Sequence, residues 1–290
     1  MKSKRVLTLL LIGSIFFLSK EVVNAETCFV TSNNGICISE TEYNNLLSMG
    51  FNDFEIRNMD LEIYNNNKNL TGSVKGVATR YIEDTTYRNG ILVFNTSRDI
   101  SEEEYNSVKQ VNGNRYVGDG YTETTYKRLD TTIIEYTNKL RYKTSLTWKI
   151  MPSTRSYDII GIGLDDDYVY VSGNRTFSQT YCTSITSCQT STTADIKNQT
   201  TGAGASFQLP SGSYVIMTSY FYYDVGKKSG VYPTSLYAYG DYAHATQTVT
   251  QSQAYGYYGI GYGGLYLYSD IAGKYDSMND ARAHWTGYWS

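Results

Sequence analysis

The sequence has few residues of the kinds that mark disorder, metal binding or catalysis. Three prolines in 290 residues argue against disordered and proline-rich segments. The two histidines, His244 and His284, lie in no metal-binding or nucleophile motif, and the chain has no G-x-S-x-G, H-E-x-x-H or P-loop pattern. The sequence therefore favours a non-enzymatic protein with no catalytic residues, metal or cofactor. The alternative is a glycosidase, because its two catalytic carboxylates need not form a recognisable sequence motif.

The amino terminus has the three parts of a secretory signal peptide. A basic cluster at residues 2–5 precedes an apolar run at residues 6–18, and a small-residue cleavage site ends at Ala25. The apolar run is shorter than the ~20 residues that a transmembrane helix needs. We expect cleavage after Ala25 and a secreted, extracellular protein; an uncleaved anchor is the alternative.

Positive charge is also scarce. The chain has 25 basic and 28 acidic residues, a net charge of −3. Residues 1–25 carry four of the basic residues and one acidic residue, so the mature chain has 21 basic and 27 acidic residues, a net charge of −6. Nucleic acid is bound through basic patches, and the sequence has none, so we expect no nucleic-acid partner. The same charge disfavours an anionic membrane surface.

Four cysteines occur in two local pairs. Cys28 and Cys37 bracket eight residues, and Cys182 and Cys188 bracket five. Three connectivities are possible, and pairing within each local pair is the simplest, since each pair can sit across a turn. An exported chain meets an oxidising environment, so we expect structural disulfides; free thiols are the alternative. The absence of C-x-x-C spacing makes zinc and redox roles weak hypotheses.

The segment before residue 70 has the pattern of short helices. Ser39 with Glu42 and Asn52 with Glu55 have the spacing of capping boxes, and Asp60 is placed to cap a third helix. These signals precede short apolar stripes, so we predict a small helical head.

From about residue 115 the apolar residues recur with a period of two. Thirty tyrosines and many threonines favour strands. The stretch at residues 213–225 is aromatic on both faces, which predicts a central strand buried on both sides. Short strands with turns between them predict a mainly β chain: an antiparallel β-sandwich, jelly-roll or Greek-key like, after a small helical segment. We divide the chain into a signal peptide (1–25), a helical segment (26–70), connecting strands and a short helix (71–118) and the sandwich domain (119–290).

The stretch "AYGYYGIGYGGLYLY" at residues 254–268 is the candidate binding segment. Interpreted as one strand, it has a tyrosine-rich face and a face of glycines followed by Leu265 and Leu267. The leucines belong in a core, with the glycines leaving room for a large side chain opposite. The outward face then forms an aromatic strip; burial under a loop or helix is the alternative. The candidate binding residues are Tyr258, Tyr262, Tyr266 and Tyr268, with Trp285 and Trp289 as further candidates.

A Ser/Thr-rich stretch at residues 183–201 raises a second hypothesis. Such stretches occur in hairpins that line pores, but this one has few apolar residues for a membrane strand. We expect a flexible surface loop instead.

The preferred function is a secreted binding protein that recognises a cell-wall or host glycan, or a protein, through an aromatic strand face. The alternative is a membrane-active, pore-forming-like β protein; the oligomeric state is not indicated.

Several stretches resemble a family of secreted proteins from Gram-positive, gut-type bacteria. They are "ISETEYNNLLSMGF" near the amino terminus and, in the body, "RSYDIIGIG", "GASFQLPSG", "AYGDYAHAT" and "MNDARAHWTGYW". The resemblance implies secretion, a short helical head and an all-β body. It implies no activity and no catalytic residues.

Overall fold

The computed structural model describes residues 27–89, 92–108, 121–277 and 280–289. The predicted signal peptide at residues 1–25 lies outside the described residues, so it stays a prediction. Within the described ranges the chain is mainly β, with antiparallel sheets and few helices, as predicted.

The helical head begins with a two-stranded ribbon and continues as three short helices. The ribbon joins β1 (Val30–Thr31) to β2 (Cys37–Ile38), and the Cys28–Cys37 disulfide closes it. The helices that follow are α1 (Glu40–Ser48), α2 (Asp53–Arg57) and α3 (Leu61–Asn67). We call residues 28–67 the helical head.

The predicted helix starts are confirmed. Ser39 with Glu42 and Asn52 with Glu55 form complete capping boxes, in which each side chain satisfies a backbone N–H of the other residue. Asp60 caps α3 by accepting a hydrogen bond from the backbone N–H of Glu62.

Beyond the head, the described residues form strands and three short helices. The helices are α4 (Glu102–Ser107), α5 (Gln251–Gly256) and α6 (Ser269–Ala272). The strands are β3 (Ser73–Asn89), β4 (Leu92–Ile100), β5 (Tyr121–Tyr136), β6 (Lys139–Ile150), β7 (Tyr157–Leu164), β8 (Val169–Ser184), β9 (Ser187–Ser191), β10 (Asp195–Gln199), β11 (Gly202–Gln208), β12 (Ile216–Lys227), β13 (Ser235–Ala245), β14 (Tyr258–Gly261), β15 (Gly264–Leu267), β16 (Tyr275–Ser277) and β17 (Ala281–Thr286).

Two antiparallel sheets form the body. The first has the strand order β4-β3-β5-β6-β12-β8-β9, and the second has the order β10-β11-β7-β13-β16, with β17 also paired to β13. The strands β3 and β4 fall in the segment described from the sequence as connecting strands, which could either join the sheets or bridge to them, and they belong to the first sheet. They join it because β3 pairs with β5 along nearly its whole length, from Ser73 to Arg88.

The main core lies between the inner faces of the two sheets. Along β7, Ile160 and Ile162 face this core, whereas Ile159 faces the opposite side of the sheet. Trp148 from the first sheet and Trp285 from the second are both almost fully buried in this core. Side chains from both sheets thus share one apolar interior, which is the arrangement of a sandwich.

The outer face of the first sheet is also buried, because the helical head covers it. Phe51 of the head packs edge-to-face on Tyr220 and Tyr222 of β12, with ring centres 5.7 and 5.8 Å apart. The inward-facing rings Phe221 and Tyr223 of the same strand lie in the main core. The predicted central strand, buried on both sides, is therefore confirmed.

Two buried cations of the sheet contact the head. Lys143 pairs with Glu55 of the head, whereas Arg141 pairs with Asp224 of the sheet itself and reaches the head by donating to Asn67 Oδ1. Lys143 Nζ lies 2.7 Å from Glu55 Oε2, and the Glu55 side chain also accepts from the Ser145 hydroxyl. Arg141 Nε donates to Asp224 Oδ1 at 2.9 Å and stacks on the Tyr222 ring. Because these charges are buried, each depends on its partner for stabilisation.

A second group of buried charges lies inside the sandwich. Lys127 Nζ is 2.9 Å from Asp276 Oδ2 and 2.5 Å from Asp84 Oδ2. Burial alone lowers the pKa of Lys127, but the two carboxylates outweigh it and the pKa is raised. Burial raises the pKa of Asp276 to about 7, against the opposing effect of Lys127.

His244 joins this group through its backbone N–H, which donates to Asp276 Oδ1 at 2.8 Å, and its side chain faces Asp158. Its Nδ1 lies 3.0 Å from Asp158 Oδ2, and Tyr242 donates its hydroxyl hydrogen to the same carboxylate. Burial lowers the pKa of His244, but Asp158 outweighs burial and the pKa is raised. Asp158 and His244 are both buried, so they form part of the core rather than an accessible reactive pair.

We expect the Lys143–Glu55 contact to be essential to the docking of the head. In Glu55→Gln, Lys143 keeps its charge in a buried position without a counter-charge, which costs about 3–5 kcal/mol of unfolding free energy. Adding Lys143→Met should recover most of this loss, because the unpaired charge is then removed. Urea unfolding of the mature chain measures both effects.

The matched control is Arg57→Ala. Arg57 pairs with Asp53 at 2.8 Å on the exposed side of the head. Removal of this surface pair should cost no more than about 1 kcal/mol. An equal loss for Glu55→Gln and Arg57→Ala would contradict the structural role assigned to Lys143.

Candidate functional site

The outer face of the second sheet is covered by residues 250–272, which we call the C-terminal layer. It consists of α5, the hairpin β14–β15 and α6. The layer starts at a capping box of Thr250 and Gln253. Its inward side chains, including Tyr258 and Ile260, pack on Ile159 and Ala243 of the sheet.

Glycines in the sheet allow the hairpin to approach closely. A Cβ atom at Gly161 would lie 2.6 Å from Ile260 Cδ1, and one at Gly163 would lie 2.7 Å from the carbonyl oxygen of Gly261. At Gly163 the contact would be with backbone, so only glycine fits there, whereas at Gly161 a Cβ atom would require the end of the Ile260 side chain to move. The glycines of the hairpin were predicted to leave room for a large side chain from the other sheet. Gly259 does leave room for a tyrosine ring, but the ring is that of Tyr266 in the paired strand.

The predicted single strand at residues 254–268 is wrong. The chain reverses at Tyr262 and Gly263, because Gly263 has a φ of 87° and Gly264 a φ of 124°. Tyr258 is therefore opposite Leu267 and faces the sheet, whereas Gly259 is opposite Tyr266 and faces outward. The prediction that the two leucines face inward is confirmed, since both pack against the apolar cluster beneath the layer.

The C-terminal layer carries four exposed tyrosines, two of which are in contact. Tyr255, Tyr262, Tyr266 and Tyr268 each expose between 41% and 49% of their surface. The rings of Tyr266 and Tyr268 meet edge-to-face, with centres 5.5 Å apart. The pKa of Tyr266 is raised, first by its hydrogen bond with Tyr268. We call these four residues the tyrosine surface.

Strand β10 supplies polar side chains beside the tyrosine surface. Lys197 Nζ donates to the carbonyl oxygen of Tyr258 at 2.7 Å and lies 4.8 Å from the centre of the Tyr255 ring. Burial lowers the pKa of Lys197. Gln199 accepts a hydrogen bond from the backbone N–H of Ile260.

These β10 residues, and Tyr255, were not among the residues predicted from the sequence. The available signal was the alternation of Asp195, Lys197 and Gln199 with Ile196 and Asn198, which places three polar side chains on one face of a strand. Because this segment was predicted to be a surface loop, the alternation of its side chains was not interpreted as a strand.

A pocket of about 480 Å³ adjoins the tyrosine surface. It is lined by Asp195, Thr250, Gln251, Ser252 and Tyr255. Gln251 Nε2 donates to Asp195 Oδ2 at 2.6 Å, which fixes both side chains on the pocket wall. The pocket therefore offers a carboxylate, an amide, two hydroxyls and one aromatic ring.

Three of the predicted binding residues are buried. Tyr258 faces the second sheet, and Trp285 and Trp289 lie in the main core with their ring centres 6.5 Å apart. Trp285 is buried because β17 pairs with β13 and turns this side chain to the inner face; Trp289 Nε1 donates to the carbonyl oxygen of Asn138 at 3.0 Å. We therefore remove Tyr258, Trp285 and Trp289 from the candidate binding residues and keep Tyr262, Tyr266 and Tyr268.

The cysteine pairs are as predicted. Cys28 is joined to Cys37 and Cys182 to Cys188. Among the described residues, no group of three or more His, Cys, Asp or Glu side chains is placed to hold a metal ion. Within the same part of the chain, no helix has the length and apolar character required to span a bilayer.

Comparison with protein-family models and with curated proteins finds no match for this chain. The geometry of the C-terminal layer is therefore the basis for a functional proposal.

One charged group lies beneath the hairpin. Asp241 of β13 is buried, and its Oδ2 accepts a hydrogen bond from the backbone N–H of Leu265 at 2.6 Å. Burial raises the pKa of Asp241 to about 8, although this hydrogen bond opposes the shift. In the unfolded chain an aspartate titrates near ~3.9.

We expect Asp241 to make the protein less stable as the pH rises from about 4 to about 8. In this window the unfolded chain loses the proton and the folded chain keeps it, so the free energy of unfolding falls with increasing pH. Asp241→Asn keeps an acceptor for Leu265 and cannot ionise. It should unfold at nearly the wild-type temperature at pH 4. At pH 8 it should be more stable than wild type by on the order of 5 kcal/mol, because each pKa unit between ~3.9 and about 8 is worth ~1.4 kcal/mol.

Thermal unfolding of both proteins at several pH values tests this expectation. Asp270→Asn, at an exposed position in α6 of the same layer, is the control. Parallel pH profiles for wild type and Asp241→Asn would contradict it.

Proposed function

We propose that this protein is a secreted binding protein whose C-terminal layer recognises a cell-surface glycan. The observation that supports the proposal is the presence of four exposed tyrosines on one layer of the fold, two of them in ring contact and a third, Tyr255, lining a polar pocket. Exposed aromatic clusters of this kind are rare on surfaces that bind nothing.

The chemistry of the surface suits a sugar. A sugar ring has apolar C–H faces and a rim of hydroxyls, and tyrosine offers both an apolar ring and a polar tip. In the pocket, Asp195 and Gln251 present acceptors and a donor for hydroxyl groups, and Tyr255 provides a ring beside them.

The layer is held in place before any ligand arrives. Its inward residues pack on the second sheet, and side chains of β10 bind its backbone at Tyr258 and Ile260. A rigid surface loses little conformational entropy when it binds, which favours affinity.

The membrane-active alternative receives less support. The Ser/Thr-rich residues 183–201 do not form the expected loop: they form the end of β8 and the edge strands β9 and β10 of the two sheets. The strands β9 and β10 have five residues each, whereas a membrane-spanning strand needs about 9–11. The alternative remains a hypothesis that the first experiment distinguishes.

That experiment is co-sedimentation of the mature chain, Glu26 to Ser290, with purified Gram-positive cell walls and, in parallel, with liposomes. The proposal expects saturable pelleting with cell walls and none with liposomes. Pelleting with liposomes alone would contradict it and support the membrane-active alternative.

Variants then locate the site. Tyr255→Ala and Tyr268→Ala each remove an exposed ring from the tyrosine surface and should weaken cell-wall binding about tenfold, the effect of ~1.4 kcal/mol. Their melting temperatures should stay close to that of wild type, because both rings are largely exposed.

Tyr288→Ala is the matched control. Tyr288 is 69% exposed and stacks on Tyr232, away from the C-terminal layer. It should bind cell walls as wild type does. Equal weakening by Tyr288→Ala would show that the rings act non-specifically and would contradict the proposed site.

A further inference from the structure

A second cavity opens between the two sheets, at the side where the chain crosses from β9 to β10. It has a volume of about 400 Å³, and we call it the inter-sheet cleft. Its principal lining residues are Gln179, Tyr181, Ser191, Thr193, Gln208 and Tyr214. A cleft of this volume is in the range of small-molecule sites, about 300–1,000 Å³.

The amide of Gln179 is the unusual feature of the cleft. Gln179 is 3% exposed, and its Nε2 atom has no hydrogen-bond partner in the part of the chain that the structure describes. A buried polar group without a partner costs about 1–3 kcal/mol. A half-turn of the amide exchanges its nitrogen and oxygen, so this side chain can present either a donor or an acceptor.

The other walls offer neutral hydrogen-bonding groups and two aromatic rings. Ser191 and Thr193 supply hydroxyls, and Gln208 supplies a second amide. The rings of Tyr181 and Tyr214 meet edge-to-face with centres 5.0 Å apart. No charged side chain is among the described residues that line the cleft.

The backbone around the cleft is fixed by covalent and hydrogen-bonded contacts. The Cys182–Cys188 disulfide joins β8 to β9 directly beside Tyr181. The carbonyl oxygen of Cys182 accepts from the backbone N–H of Val215 at 2.8 Å, which ties the loop after Tyr214 to β8. The Tyr214 hydroxyl donates to the carbonyl oxygen of Ser211 at 3.0 Å.

We propose that the inter-sheet cleft binds a neutral saccharide unit. The Gln179 amide would hydrogen-bond a sugar hydroxyl, and Tyr181 and Tyr214 would pack against the apolar face of the ring. An apolar ligand would leave Gln179 without a partner, and a charged ligand would be desolvated without a counter-charge. The inference does not depend on the C-terminal layer, since the two sites share no lining residue.

Isothermal titration calorimetry of the mature chain tests this inference with glucose, galactose, mannose and N-acetylglucosamine as probes. At least one sugar should bind saturably, in the millimolar range that a few hydrogen bonds and one aromatic contact provide. Flat titrations for all four sugars would overturn the proposal.

The decisive variant is Gln179→Leu, which keeps the approximate shape of the side chain and removes the amide. It should weaken binding of that sugar at least tenfold, while its melting temperature stays the same or rises because an unsatisfied buried group is gone. Unchanged affinity would overturn the proposal. Thr193→Val, at an exposed position, provides the same test if Gln179→Leu fails to fold.

Tyr268→Ala separates the two sites. It should leave the sugar titration unchanged even if it abolishes binding to cell walls. If Tyr268→Ala weakens the titration and Gln179→Leu does not, the sugar binds at the C-terminal layer, and the inter-sheet site is wrong.

Discussion

Both sheets of this protein carry large apolar side chains on both faces, and the helical head and the C-terminal layer bury those on the outer faces. The inner faces meet in one core, but Tyr220, Tyr222 and Ile134 on one outer face and Ile159 and Ala243 on the other would be left in water. The helical head covers the first set and the C-terminal layer the second. The fold therefore has four layers, namely the helical head, the two sheets and the C-terminal layer, and both outer layers are needed to bury the apolar side chains of the sheets.

The two covers are attached by different physical means. The head is joined through aromatic packing and through the buried ion pair Lys143–Glu55, whose net stabilisation depends on both partners being present. The C-terminal layer is joined through close backbone approach, for which Gly161 and Gly163 leave the space. Attachment through backbone proximity fixes the position of the hairpin, and with it the spacing of the exposed tyrosines.

The sequence predicted what is encoded locally. The capping boxes at Ser39 and Asn52, the disulfide pairs and the two-faced aromatic strand all depend on neighbours within a few residues, and all were confirmed. The reversal at Gly263 was missed because the alternation of residue types along the sequence continues unbroken through the two-residue turn. Trp285 and Trp289 were misplaced because their burial depends on pairing with residues about fifty to sixty positions earlier in the chain, Leu236 and Pro233. The role of β10 depends on a neighbour about sixty residues later, which local pattern does not reveal.

The position of the helical head has a consequence for the order of folding. The head is among the first parts of the chain to be synthesised, yet the surface that it covers is completed by β12, and Asn67 bonds to Tyr222, 155 residues later. Contacts of such high sequence separation form slowly, since a long loop must close before they stabilise anything. The short head helices are marginal in isolation. The head therefore acquires its native structure late relative to its synthesis, and until residue 222 is available it can pack only on the part of this surface that earlier strands supply, such as Ile134 of β5.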